Sequence, residues 1–297
     1  MVRWSRAIPR LALAPAIVIT LVCYLGSIGW TFFMSFTKSK RFPEYVIDPD
    51  GWAAQYARLF GNDAWRTSLA NLVVLALGSA LAIVLGFILA AMVEREKFGE
   101  GVFRTIFLYP LAVSLIVTGL AWRWMFNPSL GIEGFLKGHG FPNASFNPLA
   151  SQDTAMYGII LASIWHGMGF YMALMLAGLK SINGEIWSAA RLDGVSLWRL
   201  YTEIIIPMLK FTFLTCAILL SLGVVKAFDI VVAMTNGGPG TSTWTPAYFA
   251  INAYSTRSNI GFASAAAVIM LAITLVIFLP LALLTAWQAR RQEAQAR

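Results

Sequence analysis

Six long apolar runs limit what this chain can fold into. They lie near Leu11–Phe36, Ser68–Val93, Phe103–Phe126, Ala155–Leu179, Phe211–Met234 and Phe262–Trp287. Each exceeds the roughly 20 helical residues that cross a hydrocarbon layer of about 30 Å. The runs are continuous, whereas the strands of a membrane barrel alternate with a period of two. Within lipid a span must satisfy its own backbone polar groups, so helix is the expected conformation. Composition agrees. Of the 297 residues 58% are hydrophobic and only 12% charged, and mean hydropathy is +0.69. A soluble globular protein carries about a quarter charged residues, so this chain has too few to cover a water-facing surface. Its apolar content is far too high for disorder. The expected fold class is an all-α polytopic membrane protein, with six transmembrane helices in one domain over residues 1–297.

The net charge is +8. Lys and Arg are scattered between the apolar runs without the basic stripe that nucleic acid would require, so no nucleic-acid partner is expected. The excess of positive charge on cytoplasmic loops is the simpler explanation. With the N-terminus inside, thirteen of the 22 Lys and Arg fall on the cytoplasmic side, eight on the other, and Lys226 lies within a span. Both termini are therefore expected in the cytoplasm, although Lys38, Lys40 and Arg41 form a basic cluster outside. The first run follows Arg3, Arg6 and Arg10, as in a signal peptide. It is too long for a cleaved segment and lacks a small-residue cleavage site, so a retained helix is expected. Cys23 and Cys216 lie in apolar runs without metal-ligand spacing, and no metal site is expected. Aromatic residues crowd the outer ends of spans 1 (Trp30, Phe32, Phe33, Phe36) and 3 (Trp122, Trp124, Phe126), and Trp287 sits at the inner end of span 6. Such rings suit headgroup depth. The outer loops are too small for a separate domain, but Trp52–Phe60 has the spacing of a helix lying on the membrane.

Between spans 4 and 5 lies the segment 181–206, far longer than a connector needs. It holds two short helical patterns hinged at Gly194. Asn183 can cap the first, with Glu185 in its first turn, where a negative charge suits the helix dipole. Ser196 can cap the second, and Pro207 marks the start of the next span. With Trp187 and Trp198, such a helix pair suits docking into a groove of another protein. It equally suits lying on the inner leaflet, and physical grounds do not separate the two.

The pattern Ala189-Ala190-x-x-Asp193-Gly194, followed by Ile206-Pro207, resembles the "EAA" loop of membrane subunits of bacterial ABC importers. The run Thr235-Asn236-Gly237-Gly238-Pro239-Gly240 resembles the sugar-importer branch that contains the maltose permease subunit. Leu108-Tyr109-Pro110, Ala121-Trp122-Arg123-Trp124 and Lys226-Ala227-Phe228-Asp229 resemble the subgroup handling glucose, mannose or α-glucosides. The resemblance covers essentially the whole chain. It implies the type I permease fold, placed in the bacterial cytoplasmic membrane. Its implied partners are two ATPase subunits that bind ATP and Mg, a second related permease subunit, a solute-binding protein and a sugar. It further implies that Glu185, Ser188, Ala189, Ala190, Asp193 and Gly194 belong to a coupling helix seated in a cleft of an ATPase subunit. Ser188 stands where the family motif begins with Glu, and Glu185 lies one turn earlier. Whether the Glu185 carboxylate substitutes in the charge pair that Glu would make with the ATPase is left open by the sequence, while the Gly194 hinge and the apolar docking face remain.

Ionisable groups inside spans are costly and are functional candidates by default. Lys226 and Asp229, three residues apart, would share one face of a continuous helix. They can form a packing ion pair, or a polar patch offering donors and acceptors to a sugar; the charged fork favours the second. Phe228 lies between them. In span 4, Trp165 and Tyr171 could stack on a pyranose ring, while His166 suits a bond between helices and Gly167 and Gly169 suit close packing. Asn71 and Trp122 complete the pathway candidates. The Asn236–Gly240 turn reads as a structural reversal. No nucleotide-binding, metalloprotease or metal-cluster motif is present, so no catalytic residue and no bound cofactor are expected in this chain. Two other readings remain: an ion-coupled secondary transporter acting without an ATPase, and an intramembrane enzyme.

Overall fold

The computed structural model describes residues 4–95 and 99–295, with side chains described over 13–95 and 99–279. Trp287 and the basic residues at 3, 6, 10, 97, 290, 291 and 297, used above for orientation, lie outside the described residues or side chains. In chain order the helices are α1 (Trp4–Met34), α2 (Ala54–Phe60), α3 (Asp63–Arg95), α4 (Glu100–Ala112), α5 (Leu115–Met125), α6 (Ile132–Gly138) and α7 (Ala155–Lys180). There follow α8 (Gly184–Leu192), α9 (Leu197–Met208), α10 (Lys210–Val225), α11 (Asp229–Met234), α12 (Pro246–Ser255) and α13 (Ile260–Gln295). No strand occurs among the described residues.

Four helices, α1, α3, α7 and α13, are each long and apolar enough to cross a membrane. Two further pairs reach that length only together: α4 with α5, bent by 95°, and α9 with α10, bent by 69°. Counting each pair as one broken span gives six. The third apolar run, expected as one helix, is therefore two. Pro110 lies in the last turn of α4, and Val113 is extended. The Ser114 hydroxyl then accepts the Val117 N–H at 3.4 Å and starts α5. A serine cap inside an apolar run is sufficient to restart a helix.

The fifth run also departs from a single helix. α10 ends at Val225, residues 226–228 leave the helix, and α11 begins at Asp229. A break within hydrocarbon frees backbone groups that need new partners. Here the Thr245 hydroxyl donates to the Ala227 carbonyl at 2.6 Å.

The described residues divide into two compact units, 4–65 with 249–273, and 66–95 and 99–248 with 274–295. In the first, the segment after α1 folds over a buried polar knot. Gln55 Nε2 donates to the Thr37 carbonyl (3.0 Å) and to Asp48 Oδ2 (2.9 Å), and Arg58 Nη1 donates to the same carboxylate oxygen at 2.9 Å. α2 thus stands where helical spacing was read, with Gln55 and Leu59 buried.

In the second unit α7 is the central helix, packed against α4, α5, α10 and α11. Small residues set the approach. A Cβ on Gly169 would overlap the Phe107 carbonyl of α4, and one on Gly119 of α5 would lie 2.6 Å from the Ala233 Cβ of α11. Helices in lipid associate through such close packing.

Candidate functional site: an exposed loop and a membrane cavity

The loop between α7 and α10 is built by local hydrogen bonds. Asn183 Oδ1 accepts the Glu185 N–H at 3.1 Å and so caps α8. At the far end, the Val195 N–H reaches the Ala190 carbonyl (3.0 Å) and the Gly194 N–H reaches that of Arg191 (3.3 Å), with Gly194 at φ +64°. This paired closure around a left-handed glycine satisfies carbonyls the helix end would leave open. The Ser196 hydroxyl then accepts the Arg199 N–H at 3.5 Å and caps α9. Within α9, residues Leu200–Ile205 form a wide π turn.

Glu185, Ser188, Ala189, Asp193 and Gly194 are exposed, as are Leu192 at 88% and Trp198 at 81%. Ala190 is buried, so it packs inward and leaves the outer face to its neighbours. The Ser188 hydroxyl returns to its own helix, donating to the Gly184 carbonyl at 3.0 Å. Trp187 differs from the sequence reading. It is half-buried with its ring 6.0 Å from that of Tyr201, and does not belong to the exposed face. Leu192, which carries no motif, takes its place there.

The second unit holds an open cavity of about 390 Å³ between α3, α5, α7, α10 and the break before α11. That volume lies within the range of small-molecule sites, roughly 300–1,000 Å³. Tyr171, Lys226, Phe228 and Asp229 all line it. Trp122, Trp165 and Asn71 do not. The two Trp rings pack edge to face on each other at 6.0 Å. Asn71 Nδ2 donates to the carbonyls of Ser242 (2.7 Å) and Trp244 (2.9 Å), joining a helix to a loop.

Lys226 and Asp229 do not share a face of one helix, because the chain leaves the helix between them. Among the described residues no ion pair joins them, and both are exposed. Phe228, within the break, stacks on Tyr248 at 6.1 Å. His166 Nδ1 lies 3.3 Å from the Thr118 hydroxyl, a bond between α7 and α5, and the ring also lines the cavity. Sequence reasoning missed Ser79 and Ser163 on the cavity wall. The Ser79 hydroxyl is buried and has no hydrogen-bond partner. A lone serine in a long apolar run gives no signal of where it points. The wall thus presents an ammonium, a carboxylate, an imidazole and hydroxyls beside aromatic rings. No described group of His, Cys, Asp and Glu could hold a metal ion.

Residues 82–293 match the family described as "Binding-protein-dependent transport system inner membrane component". A probable ABC transporter permease protein of Pyrococcus horikoshii is 34% identical over 91% of this chain and 92% of its own. The trehalose/maltose transport system permease protein MalF of Thermococcus litoralis is 28% identical over 89% of each. Among solved structures, a chain of a bacterial alginate ABC transporter, crystallised with an alginate pentasaccharide-bound periplasmic protein, superposes with a TM-score of 0.79. It is 20% identical and covers 93% of both chains, a likeness of fold. The family match spans the broken fifth run, the capped loop and the part of the cavity wall after α3, and on it the chain belongs to the family of inner membrane components of binding-protein-dependent transport systems.

Proposed function

We propose that this chain is the permease subunit of an ATP-driven sugar importer in the bacterial cytoplasmic membrane. It forms half of the translocation pathway and itself catalyses nothing. Its partners are two ATPase subunits, a second related permease, a solute-binding protein and a sugar. The loop 181–206 and both termini face the cytoplasm. The observation that carries this reading is the exposed, doubly capped loop whose closing turn is the Asp193-Gly194 of the motif.

The mechanism follows from connectivity. α8 offers Ser188, Ala189, Leu192 and Asp193 to an ATPase cleft. α8 is joined to α10 through α9, with a bend at Leu209. α10 ends at the break that carries Lys226, and Asp229 follows at the start of α11. Motion of the loop therefore changes the cavity wall without any chemistry in this chain. Lys226 donates to sugar hydroxyls and Asp229 accepts from them, while Phe228 and Tyr171 offer faces to the apolar side of a ring. The finer reading of the substrate is glucose, mannose or an α-glucoside. The trehalose/maltose relative supports it, together with the motifs around Tyr109, Trp122 and Phe228.

The test is reconstitution. The chain is purified with its co-assembled subunits, placed in proteoliposomes with the binding protein, and supplied with labelled maltose, trehalose, glucose or mannose. ATP inside the cytoplasmic face is expected to drive uptake of at least one, and an ion gradient without ATP to drive none. Uptake by this chain alone, powered by an ion gradient, would overturn the proposal.

A further inference from the structure

The π turn in α9 has a consequence inside the membrane. Regular helix outnumbers π helix so heavily that well under about 1% of residues adopt it, and isolated π turns concentrate at functional sites. The turn at Leu200–Ile205 carries Tyr201. The Tyr201 ring stands edge to face against two others, Trp187 of α8 at 6.0 Å and Phe87 of α3 at 6.1 Å. Phe87 in turn meets Phe213 of α10 at 5.2 Å. All three separations lie in the range of favourable ring pairs, roughly 4.5–7 Å. Four rings therefore run without a gap from the exposed loop helix to two spans whose residues line the cavity.

The Tyr201 hydroxyl adds an independent observation. It is buried and has no hydrogen-bond partner. A buried hydroxyl without a partner costs stability, because it has given up water and gained nothing in return. A wide turn that holds a tyrosine in such a place spends stability on the position of the ring.

We propose that Tyr201 is the positioning residue through which movement of α8 reaches α3 and α10. This rests on the coupling role given to the loop above. The backbone route through α9 bends at Leu209, and a bend absorbs motion. The ring column bypasses it, passing a shift of Trp187 laterally into Phe87 and Phe213. Closely packed rings transmit displacement because interiors are dense and compress little. Replacing the ring by a flexible aliphatic side chain would leave α8 free to move without the cavity following.

The test reads the cavity directly and needs no knowledge of the sugar. In the whole assembled transporter, with Cys23 and Cys216 replaced by Ser, Ser163→Cys places a thiol on the cavity wall. Its alkylation by N-ethylmaleimide is timed with and without ATP plus vanadate. With Tyr201 intact, trapping nucleotide is expected to change the alkylation rate at least fivefold. Tyr201→Leu is expected to abolish that change while the ATPase subunits still trap nucleotide, and Tyr201→Phe to restore it. Phe87→Leu, which cuts the column at its next ring, is expected to behave like Tyr201→Leu, and it decides the matter if Tyr201→Leu fails to assemble. A normal nucleotide response in an assembled leucine variant would overturn the relay and leave the coupling role standing. An absent response with Tyr201 intact would overturn the coupling role itself, and the relay with it.

Discussion

The exposed loop after α7 and the break in the fifth span do similar work with opposite logic. Both stop a helix, turn the chain and start another. In the loop every bond that does so is local: Asn183 to Glu185, Val195 to Ala190, Ser196 to Arg199. At the break the decisive bond comes from Thr245, eighteen residues beyond Ala227. A segment in water can satisfy a loose backbone group with solvent, so its shape follows from its own residues. A segment in lipid cannot, and its shape depends on what the rest of the fold supplies.

That difference can be broken experimentally. The largest effect is expected at the break. Thr245→Val keeps the volume and removes the donor, leaving the Ala227 carbonyl unpaired at a cost of about 1–3 kcal/mol. Thr245→Ser keeps the donor. The valine variant is expected to lower the melting temperature of the purified protein clearly and the serine variant much less. Equal melting of the two would show that the break holds itself.

The loop comes next. A side chain at Gly194 meets no neighbour, but the φ of +64° remains. For a residue other than glycine the left-handed conformation costs roughly 1–2 kcal/mol, and Asn bears it best. Gly194→Val is expected to reduce ATP-driven uptake severely, Gly194→Asn only mildly, with membrane insertion unchanged in both. If the two were equally inactive, side-chain bulk rather than the turn would be the cause. Asn183→Ala should act in the same direction more weakly, since losing such a cap costs about 1 kcal/mol, again read as uptake against insertion.

Much of this contrast was legible in the sequence. Asn183, Gly194 and Ser196 announced the loop because caps and left-handed glycines act within a few residues. The six apolar runs announced the all-α membrane fold. The breaks were harder to see because hydropathy continues straight across them. Ser114, four residues after Pro110, was a readable signal inside the third run, whereas nothing near Lys226 points to Thr245. For the same reason the pairing of Lys226 with Asp229 was read from a helix that the fold interrupts. Trp122 and Trp165 looked available for a ligand singly, and in the fold they occupy each other.

The next prediction follows from that correction. Both groups line one cavity and are assigned to the same sugar, so their effects share a partner and do not add. In uptake assays, Lys226→Met and Asp229→Asn are each expected to lower uptake, with the double change no better than either single one. Rescue of one by the other would restore the ion pair.

The smallest expected effect lies in the polar knot after α1, outside the membrane-spanning helices. Burial pushes the Asp48 carboxyl up, but the Asp50 N–H and the Arg58 guanidinium outweigh it and hold the group below the usual carboxylate value. A lowered folded value means stability that is present above the unfolded value, about 3.9, and lost as pH falls through the folded one. Acidification below about pH 4 is expected to loosen this segment, followed through Trp52 fluorescence, and Asp48→Asn to flatten that dependence.

One measurement tests the coupling role most directly. Leu192 is exposed and sits on the outer face of α8. With Cys23 and Cys216 replaced by Ser, Leu192→Cys is placed in the assembled transporter and treated with a short bifunctional thiol reagent. We expect a cross-link to an ATPase subunit whose yield changes when nucleotide is trapped. A transporter that moves sugar normally while Leu192→Cys links to no ATPase chain in any nucleotide state would contradict that role.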